Sequence, residues 1–476
     1  MLFNSFPFIF LFLITFGLYY LPVFSRFQVH LLVAASFVFY AWYQPEWLLL
    51  LLFSITINAY TSYQVYYGLV EKRKFNATLG VVINIATLVF FKYSPVFSKT
   101  FLSPDNSIGS FLLHVPLPIG ISFFTFHGIS MLLDLYLGKN IEANKEFIPK
   151  LFTRHWLYTS LYISFFPQLV CGPITKSYNF MPQIVRKSIN NINWEPAFKH
   201  IIMGYFLKMV IADNIKDQTF WAAFPFFEYQ TSWTLFALIF GYAIQIFADF
   251  AGYSFIALGI AMLFGYNLPL NFNYPYISAS ISEFWQRWHI SLSVWLYEYL
   301  FDPIVVFARD WGKWAIVFGL MVTFAVSGMW HGAGLNFLTW GIIHGIGLSL
   351  YFLTTRLRRK LSKVIPKLIY NSFAILLTFI FVCFSYIFFR AATFTQAILY
   401  LHDMATHWHR GVPSPAIILN IFMYSAPVVL FHFYYLYKEN GGRRLPKSVQ
   451  PLVYGLMLFA IFVNSGSAGE FIYFQF

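Results

Sequence analysis

Charge is scarce in this chain. Asp, Glu, Lys and Arg together make up 10% of its 476 residues, where a soluble domain carries about 25%. With 59% hydrophobic residues and a mean hydropathy of +0.64, a soluble globular protein is excluded, because no single core buries that much apolar surface. Acids are scarcer still, 18 against 31 basic residues. The formal charge of +13 would suggest nucleic acid in a soluble protein. Here the basic residues cluster in short loops between apolar runs, so they read as topology signals and no nucleic-acid partner is expected. Cysteine is nearly absent. Cys171 and Cys383 both lie in apolar runs, which argues against a disulfide framework and a Cys-based metal site. The opening "MLFNSFPFIFLFLITFGLYYLPVF" lacks a basic n-region and a small-residue cleavage site, so it reads as a retained span rather than a signal peptide. No repeat of 20 to 50 residues and no inserted soluble domain is visible.

What is present is apolar sequence in runs of roughly 17–22 residues, the length of membrane helices rather than barrel strands. After the first span, runs fall at about 29–43, 45–66, 78–97, 117–138, 155–172, 196–214, 231–250, 252–266, 284–307, 314–330, 334–354, 367–389, 417–437 and 449–465. The longest polar interruptions are 98–116, 174–195 and 390–416. Aromatics reach 22%; some form interface belts, and the excess implies rings packed between helices. The expected fold is all-α: a polytopic helical membrane protein, one membrane-embedded domain over 1–476.

Charge orients the chain. Basic clusters lie at 72–74, 139–154, 176–187, 356–367 and 438–447, and the positive-inside rule puts them on the cytoplasmic side. The first span then starts outside. The 155–172 run, basic at both ends, reads as a re-entrant segment that Pro167 and the "CGPI" exit would break. The turn holding Trp330, His331 and Gly332 lies at or beneath the outer face, and the tail "SGSAGEFIYFQF" is outside.

Two stretches carry polar groups that a lipid-exposed span would not. In "SEFWQRWHISLSVWLYEYLF", Ser282, Gln286, His289, Ser293 and Tyr297 fall on one helical arc, and Glu283 and Arg287 form an i,i+4 pair beside it. Such a helix lines a polar cavity or lies at an interface; alternatively His289 satisfies a hydrogen bond inside a bundle. In "SGMWHGAGLNFLTWGIIHG", His331 either caps a broken helix end or serves chemistry, and Gly332 and Gly334 allow close backbone approach. Asp249, a lone acid at the end of a span, is either functional or structural. His402, His407 and His409 read as a solvated or interfacial loop, not a metal site.

Together these stretches resemble the signature of the membrane-bound O-acyltransferases, in the branch of the alginate O-acetylation membrane protein and the bacterial peptidoglycan O-acetyltransferase membrane subunit. "FFPQLVCGPI" (165–174), "FADFAGYS" with "FGYNLPLNFNYPYIS" (247–278), "SYIFFRA" (385–391) and the tail "FIYFQF" (471–476) match the same branch, in order over nearly the whole chain. Two departures stand out: Phe255 follows "GYS" where an acid is common, and Tyr297-Glu298 replaces an Arg-Asp pair. The resemblance implies a funnel-shaped helical fold in a bacterial plasma (inner) membrane. It implies acyl transfer from acetyl-CoA or another acyl thioester to a hydroxyl, with no bound cofactor and no metal. His331 corresponds to the family's invariant histidine, and His289 to a second, less universal one. An alcohol or phenol needs a base to become a good nucleophile, and imidazole is suited to that near neutral pH. His331 is thus either base or acyl carrier. Gln286, Trp285, Trp288, Trp330 and Asp249 are the implied substrate-binding residues, and Tyr473 the implied outward acyl carrier. Membrane lipid surrounds the chain, and an extracytoplasmic SGNH-type O-acetyltransferase is the implied partner. D-alanyl transfer to teichoic acid and a histidine-containing transporter are the alternatives; the missing repeat weighs against the transporter.

Overall fold

The computed structural model describes residues 1–102, 106–139, 148–443, 446, 448–467 and 471. Every regular element among them is helical. Eight helices are long and apolar enough to cross a membrane, from Trp47–Tyr67 to Pro415–Glu439; the protein is a multi-pass, all-α membrane protein. The chain divides into two compact units, 1–201 with 253–269, and 202–252 with 270–476.

In the first unit Trp47–Tyr67, Arg73–Phe101 and Ile121–Leu137 pack together. Lipid offers no hydrophobic drive between helices, so small residues and buried amides hold them. Asn58 and Asn84 exchange side-chain hydrogen bonds at 3.2 and 2.9 Å. A Cβ on Gly80 would strike Thr61 and Leu132, and one on Gly128 would strike Asn58. Phe152–Ser164 has 13 residues, about 20 Å of helix against a hydrocarbon core of about 30 Å. It ends before "FFPQLVCGPI", as the proline predicts, and the irregular backbone beyond is buried. Side chains satisfy it: Gln168 Nε2 donates to Tyr162 O at 2.6 Å, and Tyr162 Oη to Thr175 O at 2.8 Å.

Several expected boundaries move. The runs at 231–250 and 252–266 form one helix, Ser232–Leu263. The two runs meet at Gly252. It is a close-packing site, where a Cβ would meet Gly204 O and the Lys208 backbone. Phe6–Tyr20, Gln28–Ala41, Ile121–Leu137 and Val449–Val463 are apolar but shorter than 18 residues. The 390–416 interruption, read as a loop, contains the Phe394–Thr406 helix, whose N-cap Thr393 accepts from Gln396 N. His402 and His407 there lie 3.1 and 3.5 Å from Asp403 Oδ1, a carboxylate the loop reading left out.

Candidate active site

The site lies in the second unit and begins with a glycine-stitched hairpin. Lys313–His331 and Leu335–Leu353 pack along their lengths. Their backbones nearly touch: a Cβ on Gly328 would strike Phe337 O, and one on Gly341 would strike Phe324 O. That crossing permits the short turn at 332–334, which leaves His331 as the last residue of its helix. Asn336 anchors the turn by donating to Phe388 O and Ala391 O at 3.3 and 2.8 Å.

His331 is 3% exposed. Its ring meets Trp330, Trp340 and Phe389 edge-on, with centroids 4.6, 5.0 and 5.2 Å away. Rings that close exclude water, which strengthens any charge interaction formed there. One and two turns back along the helix stand Ser327 and Thr323, both buried. Thr61 and Thr339 donate to the carbonyl four residues earlier. The Ser327 and Thr323 hydroxyls have no hydrogen-bond partner among the described residues.

The second histidine of the stretch, His344, has its protonation dictated by its neighbours. Trp285 Nε1, a donor only, donates a hydrogen bond to His344 Nδ1 at 3.3 Å. The ring proton is therefore on Nε2, which donates to Ser385 Oγ at 2.9 Å, and Ser385 donates to Val382 O at 2.7 Å. Trp340 packs against both His331 and His344, at 5.0 and 4.9 Å. His344 is thus a neutral strut that sets the Trp285 ring.

The arc from Ser282 to Tyr297, expected as one helix, is broken. Ile281–Arg287 and Ile290–Leu296 are separate helices, and His289 between them has φ 42°. Left-handed backbone at a non-glycine residue costs about 1–3 kcal/mol and persists only where its surroundings enforce it. The extended 271–273 segment does so. Ile290 N donates to Asn271 O at 2.9 Å, and Asn273 N to Arg287 O at 2.9 Å. Ser291 N and Oγ both donate to Asn271 Oδ1, at 3.3 and 2.8 Å. The amide N–H of Ser291 identifies that atom as an acceptor, so His289 Nδ1, 3.0 Å away, is the donor to it. The neutral ring then carries its lone pair on Nε2. An orienting partner on one nitrogen with a basic pair on the other is the arrangement general bases use.

The break also sorts the arc. Ser282, Gln286, Ser293 and Tyr297 line a cavity of about 450 Å³ with Trp285, Leu320, Phe324 and Thr323. His289 is not among its lining residues; it packs edge-on against Phe250 at 4.6 Å. The cavity falls in the size range of small-molecule sites. The expected Glu283–Arg287 pair forms at 2.9 Å, and Arg287 also reaches Glu439 at 3.0 Å.

Trp288 stacks on Phe284 and meets Tyr386, linking the His289 turn to "SYIFFRA". Trp330 flanks His331. Asp249 is not the lone acid it looked: its Oδ1 lies 2.8 Å from Lys208 Nζ, which lies 2.8 Å from Asp213 Oδ1. Tyr473 lies outside the described residues. Sequence reasoning missed Asn271, Trp340, Ser385, Phe389 and Lys208. The last had a readable signal, because a lysine inside an apolar run requires a counter-charge. Among the described residues, no group of three His, Cys, Asp or Glu is placed to hold a metal ion.

The sequence is similar to several known proteins. The chain is 34% identical to the peptidoglycan O-acetyltransferase of Helicobacter pylori, over 85% of this chain and 80% of the relative. It is 32% identical to the probable alginate O-acetylase AlgI of Pseudomonas aeruginosa, over 82% of this chain and 72% of the relative. The teichoic acid D-alanyltransferase of Bacillus subtilis is more distant, 29% identical over 61% of this chain. Residues 152–393, which hold both histidines and most of the rings around them, match the sequence profile of the membrane-bound O-acyltransferases, and the chain belongs to that family of acyltransferases.

Proposed function

We propose that the protein transfers an acetyl group from a cytoplasmic thioester, acetyl-CoA or a similar donor, across a bacterial inner membrane for O-acetylation of a cell-envelope or exported polysaccharide. The peptidoglycan and alginate relatives support this acceptor class. The whole chain acts as one membrane domain. In the reaction, His331 takes the acceptor hydroxyl proton as the oxygen attacks the thioester carbonyl carbon. The C–S bond breaks, and the departing thiolate takes the proton back from the imidazolium. Donor-only groups such as the Gln286 amide N–H steady the developing oxyanion, while Trp285, Trp288, Trp330 and Asp249 shape the site. His289 orients the donor. The first acceptor is the Tyr473 phenol, and an extracytoplasmic SGNH-type transferase carries the acetyl group to the glycan. The observation that carries the reading is the convergence of separate stretches on one imidazole: Trp340 from its own hairpin, Phe389 from "SYIFFRA", and, one step removed, Trp285 through His344 and Trp340.

The test is acyl transfer by purified variants. His331→Ala abolishes transfer with the fold intact, and His289→Ala lowers it less. Tyr473→Phe, which removes one oxygen, brings acetyl export to background. A hydroxylamine-sensitive ester appears on the C-terminal peptide of the parent protein and is missing from His331→Ala and Tyr473→Phe. Wild-type turnover by folded His331→Ala sinks the assignment. An acyl adduct trapped on His331 itself replaces the base mechanism with a covalent one.

A further inference from the structure

Lys208 is 1% exposed, and its ammonium sits 2.8 Å from each of two carboxylates, Asp213 and Asp249. Its Nζ also lies 4.5 Å from the centroid of the Phe471 ring, itself 1% exposed. An ammonium has three N–H groups. Two are taken by carboxylates, and the remaining side of the cation meets an aromatic face. Buried ion groups are poor devices for stability, since apolar replacements of equal volume do as well or better. A cation held by two acids and left facing a ring is better suited to recognising that ring.

Other contacts bring the same tail to the same helical stretch. Lys208 and Met209 lie in a π-helical turn, Phe206–Ala212, followed directly by Asp213–Thr219. Gly466 N donates to Met209 O at 2.9 Å. Asn214 Nδ2 donates to Asn464 O at 3.0 Å, and Ser467 Oγ to Asp217 Oδ1 at 2.9 Å. Gly466 has to be glycine-sized, because a Cβ there would meet Asn214 N and Asp213. The π turn alters the carbonyl register of its helix, a feature common at functional sites.

We propose that the Lys208–Asp213–Asp249 triad is the seat of the protein's own tail, reading the Phe471 ring by a cation–π contact and so holding Phe471 beside the stretch that binds residues 464–467. Lys208 is a positioning residue. The covalent reach from Phe471 to Tyr473 is at most about 7 Å, so the seat sets where the phenol is delivered. That last step rests on Tyr473 being the acyl carrier; the docking does not.

The experiment is hydrogen exchange of the 464–471 segment in the full-length protein, with the tail ester measured in parallel. Phe471→Leu keeps an apolar side chain and removes the ring, and Phe471→Trp restores a stronger one. Exchange of the segment becomes about tenfold faster in Phe471→Leu and returns to the parent rate in Phe471→Trp. Ester formation follows the same order while the melting temperature is unchanged. Lys208→Met combined with Asp213→Asn and Asp249→Asn removes every charge at once, leaves no carboxylate unpaired, and also frees the tail. Exchange in Phe471→Leu equal to the parent, or equal loosening in Phe471→Leu and Phe471→Trp, overturns the seat. The two readings separate cleanly. If exchange responds but Tyr473→Phe keeps full polymer acetylation, the dock stands and the relay falls. If exchange is indifferent and Tyr473→Phe is inactive, the relay stands and the dock falls.

Discussion

Asn271 holds the His289 turn with a single side-chain oxygen. Its Oδ1 takes hydrogen bonds from Ser291 N, Ser291 Oγ and His289 Nδ1. Asn271→Ala removes the acceptor these three buried donors share, at a cost of about 1–3 kcal/mol for a lost buried partner, and releases the strained His289 backbone. A drop of several degrees in melting temperature and a loss of activity are expected together. Asn271→Asp keeps an acceptor oxygen in place and retains the fold. Its added negative charge favours the imidazolium, so activity falls without the drop in melting temperature. If both variants melt alike, the acceptor role of Oδ1 is wrong. None of this was readable beforehand. Asn271 stands 18 positions before His289 in a segment with no periodicity, and only a broken helix brings them together.

At the scale of elements, the hairpin of Lys313–His331 and Leu335–Leu353 depends on two glycines. Gly328→Leu or Gly341→Leu forces a side chain into the opposing backbone carbonyl. Backbone does not rotate away as a side chain does, so a cost of at least about 2–3 kcal/mol is expected, read as a lowered thermal midpoint in detergent. Gly455→Leu is the control, since a Cβ there meets nothing within 4 Å; equal destabilisation by all three removes the crossing argument. Long apolar helices such as Lys367–Arg390 were legible from the sequence, because length and hydropathy alone specify a span. The break at His289 was not. A periodic pattern continues straight through it, and what ends the helix is hydrogen bonding from the distant 271–273 segment. The Ser232–Leu263 helix fails the other way: the sequence splits it into two runs at 231–250 and 252–266, and Gly252 at their junction is a close-packing site against the Gly204 and Lys208 backbones.

For the whole molecule, orientation in the membrane rests on the distribution of basic residues. Cys171 and Cys383 are both buried, so they are silent backgrounds for surface labelling. A cysteine at Lys360 is expected to resist a membrane-impermeant maleimide in intact cells, and one at Ser467, an exposed position, to react. Labelling of the Lys360 site from outside reverses the orientation and removes the argument for export.

The crowding of indoles on imidazoles makes the protein report on itself. Trp330 and Trp340 lie against His331, and Trp285 against His344. A charged imidazole quenches indole emission, and a neutral one does so far less. Any event that protonates His331, or inserts a ligand between it and Trp340, therefore changes the intrinsic fluorescence of the chain. Subtracting the His331→Ala spectrum isolates that signal from the other tryptophans, so occupancy of the site is followed in real time with no attached dye.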